Sequence, residues 1–227
     1  MTRVRACVIG IICGFLGTSA LNAGDFSRYR GWQLGMSLTA ASKEAGTTPT
    51  EATIVHQRPA LIQELEWHPR PPVLAGPVKA DSVRDGLLCF FNGELFRIIV
   101  TYDRYQVEGM TAEDMIEGIS ATYGLARRPA TEIAFHSDYG EVAAVIARWE
   151  DADYSFDLVR TGDRSSFAMV LYSKRLDALA QAAISQAVRL EAQEAPQREL
   201  EKQQKREEEE RLVLEKARSV NKLNFRP

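Results

Sequence analysis

The sequence predicts an α+β domain: an antiparallel sheet with packed helices, followed by a long charged C-terminal helix. Short apolar segments are joined by tight polar turns, and strands joined in this way pair antiparallel. Capping residues mark helix starts before two groups of strands. The chain beyond Pro196 is dominated by Glu, Lys, Arg and Gln, a composition typical of a solvated helix.

The predicted elements form two rounds of a helix and a group of strands, which hints at a distant duplication. In chain order they are a helix over 37–45, strands over 52–57 and 60–67, a hairpin over 83–102, a helix over 111–123, strands over 142–149, 154–161 and 167–172, and a helix from 174 onward. We expect a signal peptide over 1–23, a globular domain over 24–173 and a helical charged tail over 174–227. A strand-rich unit of roughly 150 residues is a normal size for one domain.

Both helices of the domain carry start and stop signals. Ser37 can cap the first helix, and Gly46 can end it in a left-handed conformation. Thr111 and Asp114 form a capping-box-like start to the second helix, and Gly124 follows its end. Because apolar side chains recur about once per turn, we expect the second helix to lie on the sheet, and we expect the helices to gather on one side of it.

The hairpin over 83–102 is the strongest local signal. Asn92-Gly93 separates its two apolar strands, and these residues tolerate the positive φ values of a type I′ turn. Since neither strand leaves much polar surface, we expect this hairpin to be central and covered on both faces.

In the predicted strand over 60–67, by contrast, apolar and polar residues alternate. Leu61, Leu65 and Trp67 fall on one face, and Glu64 and Glu66 fall on the other, which we expect to be solvated. The prolines that follow end this strand, since proline cannot donate a ladder hydrogen bond.

The C-terminal helix is expected to have two parts. Its first turns carry a stripe that could pack on the domain: Leu176, Leu179, Ala183, Ala187 and Leu190. Pro196 is expected to interrupt the helix. Three acid-before-base pairs stabilise the solvated part by about 0.2 to 0.5 kcal/mol each: Glu194 with Arg198, Glu201 with Lys205, and Glu207 with Arg211. Apolar residues are too sparse for a sustained heptad seam, so we expect no stable coiled-coil dimer from this segment alone.

The N-terminus has the pattern of a secretory signal. Arg3 and Arg5 precede a short apolar run, and small residues follow up to Ala20 and Ala23, after either of which cleavage is expected. The run is shorter than the roughly 20 apolar residues that cross a bilayer. We therefore expect a periplasmic or extracellular protein, which is anchored to the membrane only if the segment stays uncleaved.

Cleavage would also remove Cys7 and Cys13, two of the 3 cysteines. The mature chain could then form no intramolecular disulfide, and its fold would rest on its core. Cys89 stands between Leu88 and Phe90 in a buried strand, where we expect it to fill the core rather than to act as a nucleophile.

The charge balance of the chain argues against nucleic acid as a partner. The 227 residues include 28 Lys and Arg against 31 Asp and Glu, a formal net charge of -3. The basic spots at Arg127-Arg128 and 202–206 are each diluted by nearby acids. We therefore expect no nucleic-acid partner.

The sequence predicts no catalytic, cofactor-binding or metal site. Its 3 histidines, His56, His68 and His136, stand at no metal-ligand spacing, and we expect His136 to lie in a loop. The acidic segment 151–157 imitates a calcium loop, but it has Phe156 where that loop needs glycine, so a hairpin turn explains it better. A nucleophile elbow, a phosphate-binding glycine loop and a zinc-protease motif are missing from the sequence. We expect a protein that is not an enzyme and uses no cofactor.

Several short motifs resemble those of a group of uncharacterised exported bacterial proteins. They are Arg58-Pro59, Leu65-Glu66-Trp67, Phe91-Asn92-Gly93, Tyr102-Asp103, Tyr123-Gly124 and the ending 221–227. Leu34-Gly35-Met36-Ser37, with the helix and strands that follow, is also similar to small outer-membrane assembly lipoproteins (SmpA/OmlA-like) and to beta-lactamase-inhibitor-protein modules. Those modules bind proteins and catalyse nothing, although this chain lacks the lipid-bearing cysteine and has more predicted strands.

These observations favour an exported, non-catalytic protein-binding or structural module of the bacterial envelope. We expect its C-terminal helix to contact another envelope protein or to space the domain from a surface; the partner and the oligomeric state stay open. The alternative is a periplasmic enzyme with a site near His136, Asp138 and Asp151. Such a site would need a deep pocket around a titratable group.

Overall fold

An eight-stranded sheet organises the chain. The computed structural model describes residues 24–69, 81–129, 133–136, 142–160, 167–224 and 226. The helices are α1 (Leu38–Ala45), α2 (Ala112–Tyr123) and α3 (Lys174–Asn224); the strands are β1 (Arg28–Tyr29), β2 (Trp32–Gln33), β3 (Thr53–His56), β4 (Ile62–Trp67), β5 (Val83–Phe91), β6 (Glu94–Tyr102), β7 (Ile133–His136), β8 (Val142–Glu150), β9 (Tyr154–Arg160) and β10 (Phe167–Ser173). The expected signal peptide over 1–23 lies outside the described residues.

The strand order shows how the two rounds of elements combine. The sheet runs β3-β4-β5-β6-β10-β9-β8-β7, and each neighbouring pair is antiparallel. Each half is a four-stranded meander preceded by a helix, α1 before β3 and α2 before β7. The halves join where β6 pairs with β10. The predicted α+β architecture is confirmed.

Local capping fixes where α1 and α2 begin. Ser37 Oγ accepts a hydrogen bond from the Ala40 amide at 3.3 Å, and Gly46 ends α1 at φ 70. At the start of α2, Thr111 N donates to Asp114 Oδ2 at 2.7 Å and Asp114 N donates to Thr111 Oγ1 at 3.2 Å. Both predicted helix starts are confirmed, because each satisfies amide groups that the helix itself leaves free.

The hairpin of β5 and β6 is covered on both faces, as predicted. On one face Leu88 and Phe90 join a core with residues of α1 and α2. On the other face Cys89 packs against α3 through Leu176 and Ala180. Neighbouring residues of a strand point to opposite faces, so β5 contributes to two separate cores. The helices therefore occupy both faces of the sheet, whereas the sequence predicts them on one.

Three details of the prediction are wrong. Glu64 is buried, because it lies beside Cys89 on the face that α3 covers, whereas Glu66 is exposed. The stretch around His136, expected to be a loop, forms the edge strand β7, whose four residues are too few for a periodicity to show. In the predicted stripe of α3, Leu179 is exposed and Ala180 is buried in its place.

The helix α3 continues through Pro196, where the sequence predicts an interruption. It spans 51 residues with this proline inside it. Proline cannot donate to the carbonyl of Ala192 one turn earlier. Because Ala192 is exposed, water can hydrate that carbonyl. The turns before Pro196 are held on the sheet, so the helix direction is already set when the chain reaches it.

Candidate functional site

The helix α3 has two regions in different surroundings. We name residues 174–194 the inner helix and residues 195–224 the outer helix. Leu176, Ala180, Ala183 and Ala187 of the inner helix are buried. Each residue of the outer helix is exposed. At 1.5 Å per residue the outer helix is about 45 Å long.

Hydrogen-bonded side chains trace the inner helix from the middle of the sheet to the β3 edge. Asp177 Oδ1 accepts from Arg97 of β6, at 2.9 Å from Nε and 2.5 Å from Nη2. Glu191 Oε1 lies 3.1 Å from Nδ1 of His56, the last residue of β3. Since β5 and β4 lie between β6 and β3, the inner helix crosses this half of the sheet.

A second contact fixes the start of α3. Lys174 Nζ donates to Glu150 Oε2 and to the carbonyl oxygen of Asp151, both at 2.7 Å. The hydrogen bond from Lys174 holds the pKa of the Glu150 carboxyl below its usual value, and the positive charges of Lys174 and Arg148 add to this effect. The helix start is thus tied to the turn between β8 and β9.

The last tether lies where α3 leaves the sheet. Glu194 Oε2 accepts hydrogen bonds from Arg58 Nη2 and from Arg198 Nη2, both at 2.9 Å. These hydrogen bonds, first from Arg58 and then from Arg198, hold the pKa of Glu194 below its usual value. The predicted pair of Glu194 and Arg198 is confirmed. This carboxylate joins the body to the first turn beyond Pro196.

The outer helix presents charge along most of its length and apolar side chains near its end. Five apolar residues are at least half exposed there: Leu212, Val213, Leu214, Val220 and Leu223. Arg211 pairs with Glu208 at 3.8 Å, one turn away, rather than with the predicted Glu207. Exposed apolar side chains framed by charges are suited to protein contact rather than to acid–base chemistry.

The two described residues of the predicted alternative site, His136 and Asp151, are not brought together. His136 pairs with Val142, the first residue of β8, whereas Asp151 follows the last residue of β8. The nine residues of β8 set these two positions about 30 Å apart along the strand. Asp138 lies outside the described residues. The described parts of the proposed catalytic constellation therefore stand at opposite ends of one strand.

The acidic segment 151–157 is a hairpin turn that enters a strand, as predicted: residues 151–153 form the turn and residues 154–157 begin β9. Asp151 Oδ1 accepts the amides of Asp153 at 2.8 Å and of Tyr154 at 2.7 Å. Asp157 is buried and binds Arg148 through both carboxylate oxygens, at 2.6 and 2.7 Å. Both carboxylates thus have structural partners. In the part of the chain that the structure describes, no group of three or more His, Cys, Asp or Glu could hold a metal ion.

A shallow surface pocket of about 410 Å³ lies beside the connection from β6 to α2. Its lining consists of Arg104, Tyr105, Val107, Glu108, Gly109, Met110 and Phe167. Arg104 Nη2 donates to Tyr105 Oη at 2.5 Å, and its guanidinium lies 4.5 Å from the ring centroid of Tyr105. The carboxylate of Glu108 has no histidine, cysteine or lysine beside it in this lining. The pocket thus lacks a recognisable acid–base pair.

Sequence reasoning missed the residues that hold α3 on the sheet. Arg97 interrupts the apolar run from Leu95 to Val100, which is a readable signal because a buried guanidinium needs a charged partner. The sequence does not reveal that this partner is Asp177, 80 residues away. His56 and Arg58 give no such signal, since polar residues at the end of a short edge strand are common.

Comparisons with known proteins leave the geometry of α3 as the main guide to function. No family model, curated protein or solved structure matches this chain. Among the described helices, none combines the length and the apolar character that crossing a bilayer requires.

Proposed function

We propose that this protein is an exported, non-catalytic module of the bacterial envelope, and that its outer helix binds another protein or spaces the domain from a surface. The contrast within α3 carries this proposal. The inner helix is fixed on the sheet, whereas the 30 residues that follow are exposed throughout. A segment that buries no side chain in the body is not needed to build its core. Its role therefore lies outside the body.

The chemistry of the outer helix supports binding. Apart from Leu200, its large exposed apolar residues cluster in the last turns, from Leu212 to Leu223, at the end farthest from the sheet. A helix that lays apolar side chains into a groove is a common mode of protein recognition. The charged turns between body and tip keep this surface soluble and place it about 25 to 42 Å from the point where the helix leaves the body.

The tethers of the inner helix support a spacing role as well. Lys174 with Glu150, Arg97 with Asp177 and Arg58 with Glu194 hold one continuous helix at three places. A helix fixed at several points keeps its direction as it leaves the sheet, so its tip would be displayed at a defined distance.

Export rests on the pattern of the first residues. A basic start, a short apolar run and small residues up to Ala23 are typical of a cleavable signal. The mass of the protein isolated from cells tests this directly. A mature chain that begins at Leu21 or Gly24 supports export, whereas an intact chain in the cytosol contradicts it.

Truncation after Pro196 tests the binding role. We expect the melting temperature to change by less than about 3 °C, because the removed residues bury nothing in the body. We also expect loss of a specific partner from a pull-down with envelope extract, and binding of that partner, once purified, only to the full chain. A chain with residues 197–224 in scrambled order, at equal composition, is the matched control and should behave like the truncation.

The opposite results are equally clear. If truncation unfolds the domain, the outer helix is structural and the proposal fails. If the truncated and scrambled chains keep the purified partner, the binding surface lies on the body, and the outer helix does not carry the function.

A further inference from the structure

We propose that residues 207–224, the tip segment, pair with the same segment of a second copy of this chain in antiparallel orientation. This inference rests on the proposed binding role of the outer helix and names its partner. Two independent features of the tip segment support it: an apolar stripe on one side of the helix, and two blocks of opposite charge in a fixed order.

The apolar stripe is the first feature. With about 100° of rotation per residue, five residues fall within an arc of about 140°. They are Leu212, Val213, Ala217, Val220 and Leu223. All five are exposed, and Leu223 is 87% exposed. Leu214 lies beyond the edge of this arc. The stripe thus gives the tip segment an apolar side that the body of its own chain does not cover.

The order of charges is the second feature. Glu207 to Glu210 form an acidic block of four consecutive residues. The range 216–226 carries Lys216, Arg218, Lys222 and Arg226 and no acid. Arg211 and Glu215, which lie between the blocks, cancel each other. One end of the tip segment is therefore negative and the other is positive.

Charge complementarity favours a second copy of the chain as the partner and an antiparallel orientation of the two tip segments. In an antiparallel pair that crosses near Ala217, the acidic block of each copy lies beside Lys222 and Arg226 of the other, whereas Lys216 of each copy lies near the crossing. A parallel pair would instead place the two acidic blocks against each other, and like charges at such a contact are unfavourable. The crossing also sets Val213 of each copy close to Val220 of the other. A second copy supplies both the apolar and the ionic complement.

Glu209, Lys216 and Asn224 also lie within the arc and interrupt the apolar stripe. Glu209 of each copy faces the basic end of the other copy, and the pairing also accommodates Lys216. Its aliphatic stem can lie along the stripe while the ammonium reaches the edge of the contact. The pair occupies about five turns of each helix, which places it among small interfaces that associate weakly and reversibly. The apolar gap between Leu200 and Leu212 is consistent with a contact limited to the tip rather than a coiled coil along the whole outer helix.

The consequence is an elongated dimer, with the two bodies at its ends and the paired tip segments in the middle. About 22 residues separate the exit from the body at 195 from the crossing at 217, a length of about 33 Å. Two copies would then hold their bodies about 66 Å apart, measured between the points where the helices leave the sheets. The two body surfaces would stay free for other contacts.

Sedimentation equilibrium of the purified chain with its C-terminus intact tests the association. We expect a monomer–dimer equilibrium that weakens with added salt, since ionic contacts contribute to it. Val220→Glu places a charge in the stripe and should raise the dissociation constant at least tenfold. Leu200→Glu changes an equally exposed leucine of the same helix outside the tip segment, so it should leave the dissociation constant unchanged.

A distance measurement tests the orientation. A nitroxide label is attached at Gln203→Cys in a chain whose Cys7 and Cys13 are replaced by serine. The remaining native cysteine, Cys89, is buried in the core, so the label attaches only at position 203. Antiparallel pairing near Ala217 predicts about 42 Å between the two labels, whereas parallel pairing predicts about 10 Å. A short distance would overturn the proposal even if the chain dimerises.

The remaining outcomes separate this inference from the proposed function. A chain that stays monomeric at all concentrations, or a dimer that Val220→Glu leaves intact, overturns the pairing. If such a chain still loses a purified envelope partner on truncation after Pro196, the binding role stands and its occupant is a different protein. If neither self-association nor partner binding depends on the outer helix, both proposals fail.

Discussion

The inner and outer helices belong to one continuous α3 but owe their helical structure to different forces. The inner helix carries alanines where it meets the sheet, so its backbone approaches closely and buries Ala180, Ala183 and Ala187. The outer helix buries nothing, and its order rests on helix-favouring residues and local charge pairs. The comparison shows that helical structure alone does not tell whether a segment stabilises the domain. What decides this is whether the helix packs against the rest of the protein.

The ion pairs of the two regions differ in burial in the same way. Asp177 of the inner helix forms an ion pair with Arg97 of β6, and their side chains are 17% and 7% exposed. In the outer helix, Arg206 and Glu199 lie 3.5 Å apart with both side chains mostly exposed. Solvent screens the second pair, so it contributes little, whereas removal of one partner from the first leaves a buried charge with fewer contacts.

The largest expected effect comes from a charge placed under the inner helix. Ala180→Asp would set a carboxylate against the sheet where the native residue is fully buried. We expect the free energy of unfolding to fall by at least about 3 kcal/mol, or the domain not to fold. Ala195→Asp, at an exposed alanine of the outer helix, should cost less than about 1 kcal/mol. Urea unfolding of both variants checks this, and equal losses would break the comparison.

The buried ion pair is expected to have the next largest effect. Asp177→Ala removes the acceptor of two Arg97 hydrogen bonds and should cost about 2 to 3 kcal/mol. Arg97→Met combined with Asp177→Leu should regain most of that loss, because no charge remains to be buried. Glu207→Ala in the outer helix should change stability by less than about 0.5 kcal/mol. A double variant as unstable as Asp177→Ala would show that other partners of Arg97 matter more.

Much of the fold is predictable from local signals. The Asn92-Gly93 turn, the capping box at Thr111 and Asp114, and the left-handed Gly46 each act within a few residues, so the sequence shows them directly. The exposed character of the outer helix is predictable for the same reason, because a run of charged residues cannot form a core.

The rest depends on contacts between distant parts of the chain. Glu64 occupies a strand position that the alternating pattern predicts to face solvent. It is buried because α3, more than 100 residues later in the chain, packs over that face. Pro196 predicts a break because the sequence does not show that the helix is already anchored on the sheet by Glu194 and Arg58. The tethers of the candidate binding helix pair residues far apart in sequence, which no local pattern reveals.

Acid should loosen the inner helix by a small amount. Lys174 lowers the pKa of Glu150 in the folded protein below the unfolded value of 4.5, so this contact stabilises the fold above about pH 4.5 and is lost as the pH falls through the lowered pKa. Both side chains are partly exposed, so we expect a contribution of less than about 1 kcal/mol. Lys174→Met should show this loss already at pH 7 and a flatter decline in acid. Urea unfolding from pH 3 to pH 7 measures it, and identical pH profiles would contradict the assignment.

The smallest effect on global stability is expected at Pro196, and it tests the boundary between the two regions. Pro196→Ala restores a backbone hydrogen bond and can stabilise the surrounding helix by up to about 3 kcal/mol. If the outer helix opens independently of the body, that gain appears as slower amide hydrogen exchange after residue 196, with global unfolding changed by less than about 0.5 kcal/mol. If global stability rises by the full local gain instead, the outer helix unfolds together with the domain. The exposure of residues 195–224 predicts the first result, because cooperative unfolding requires shared buried contacts that these residues do not make.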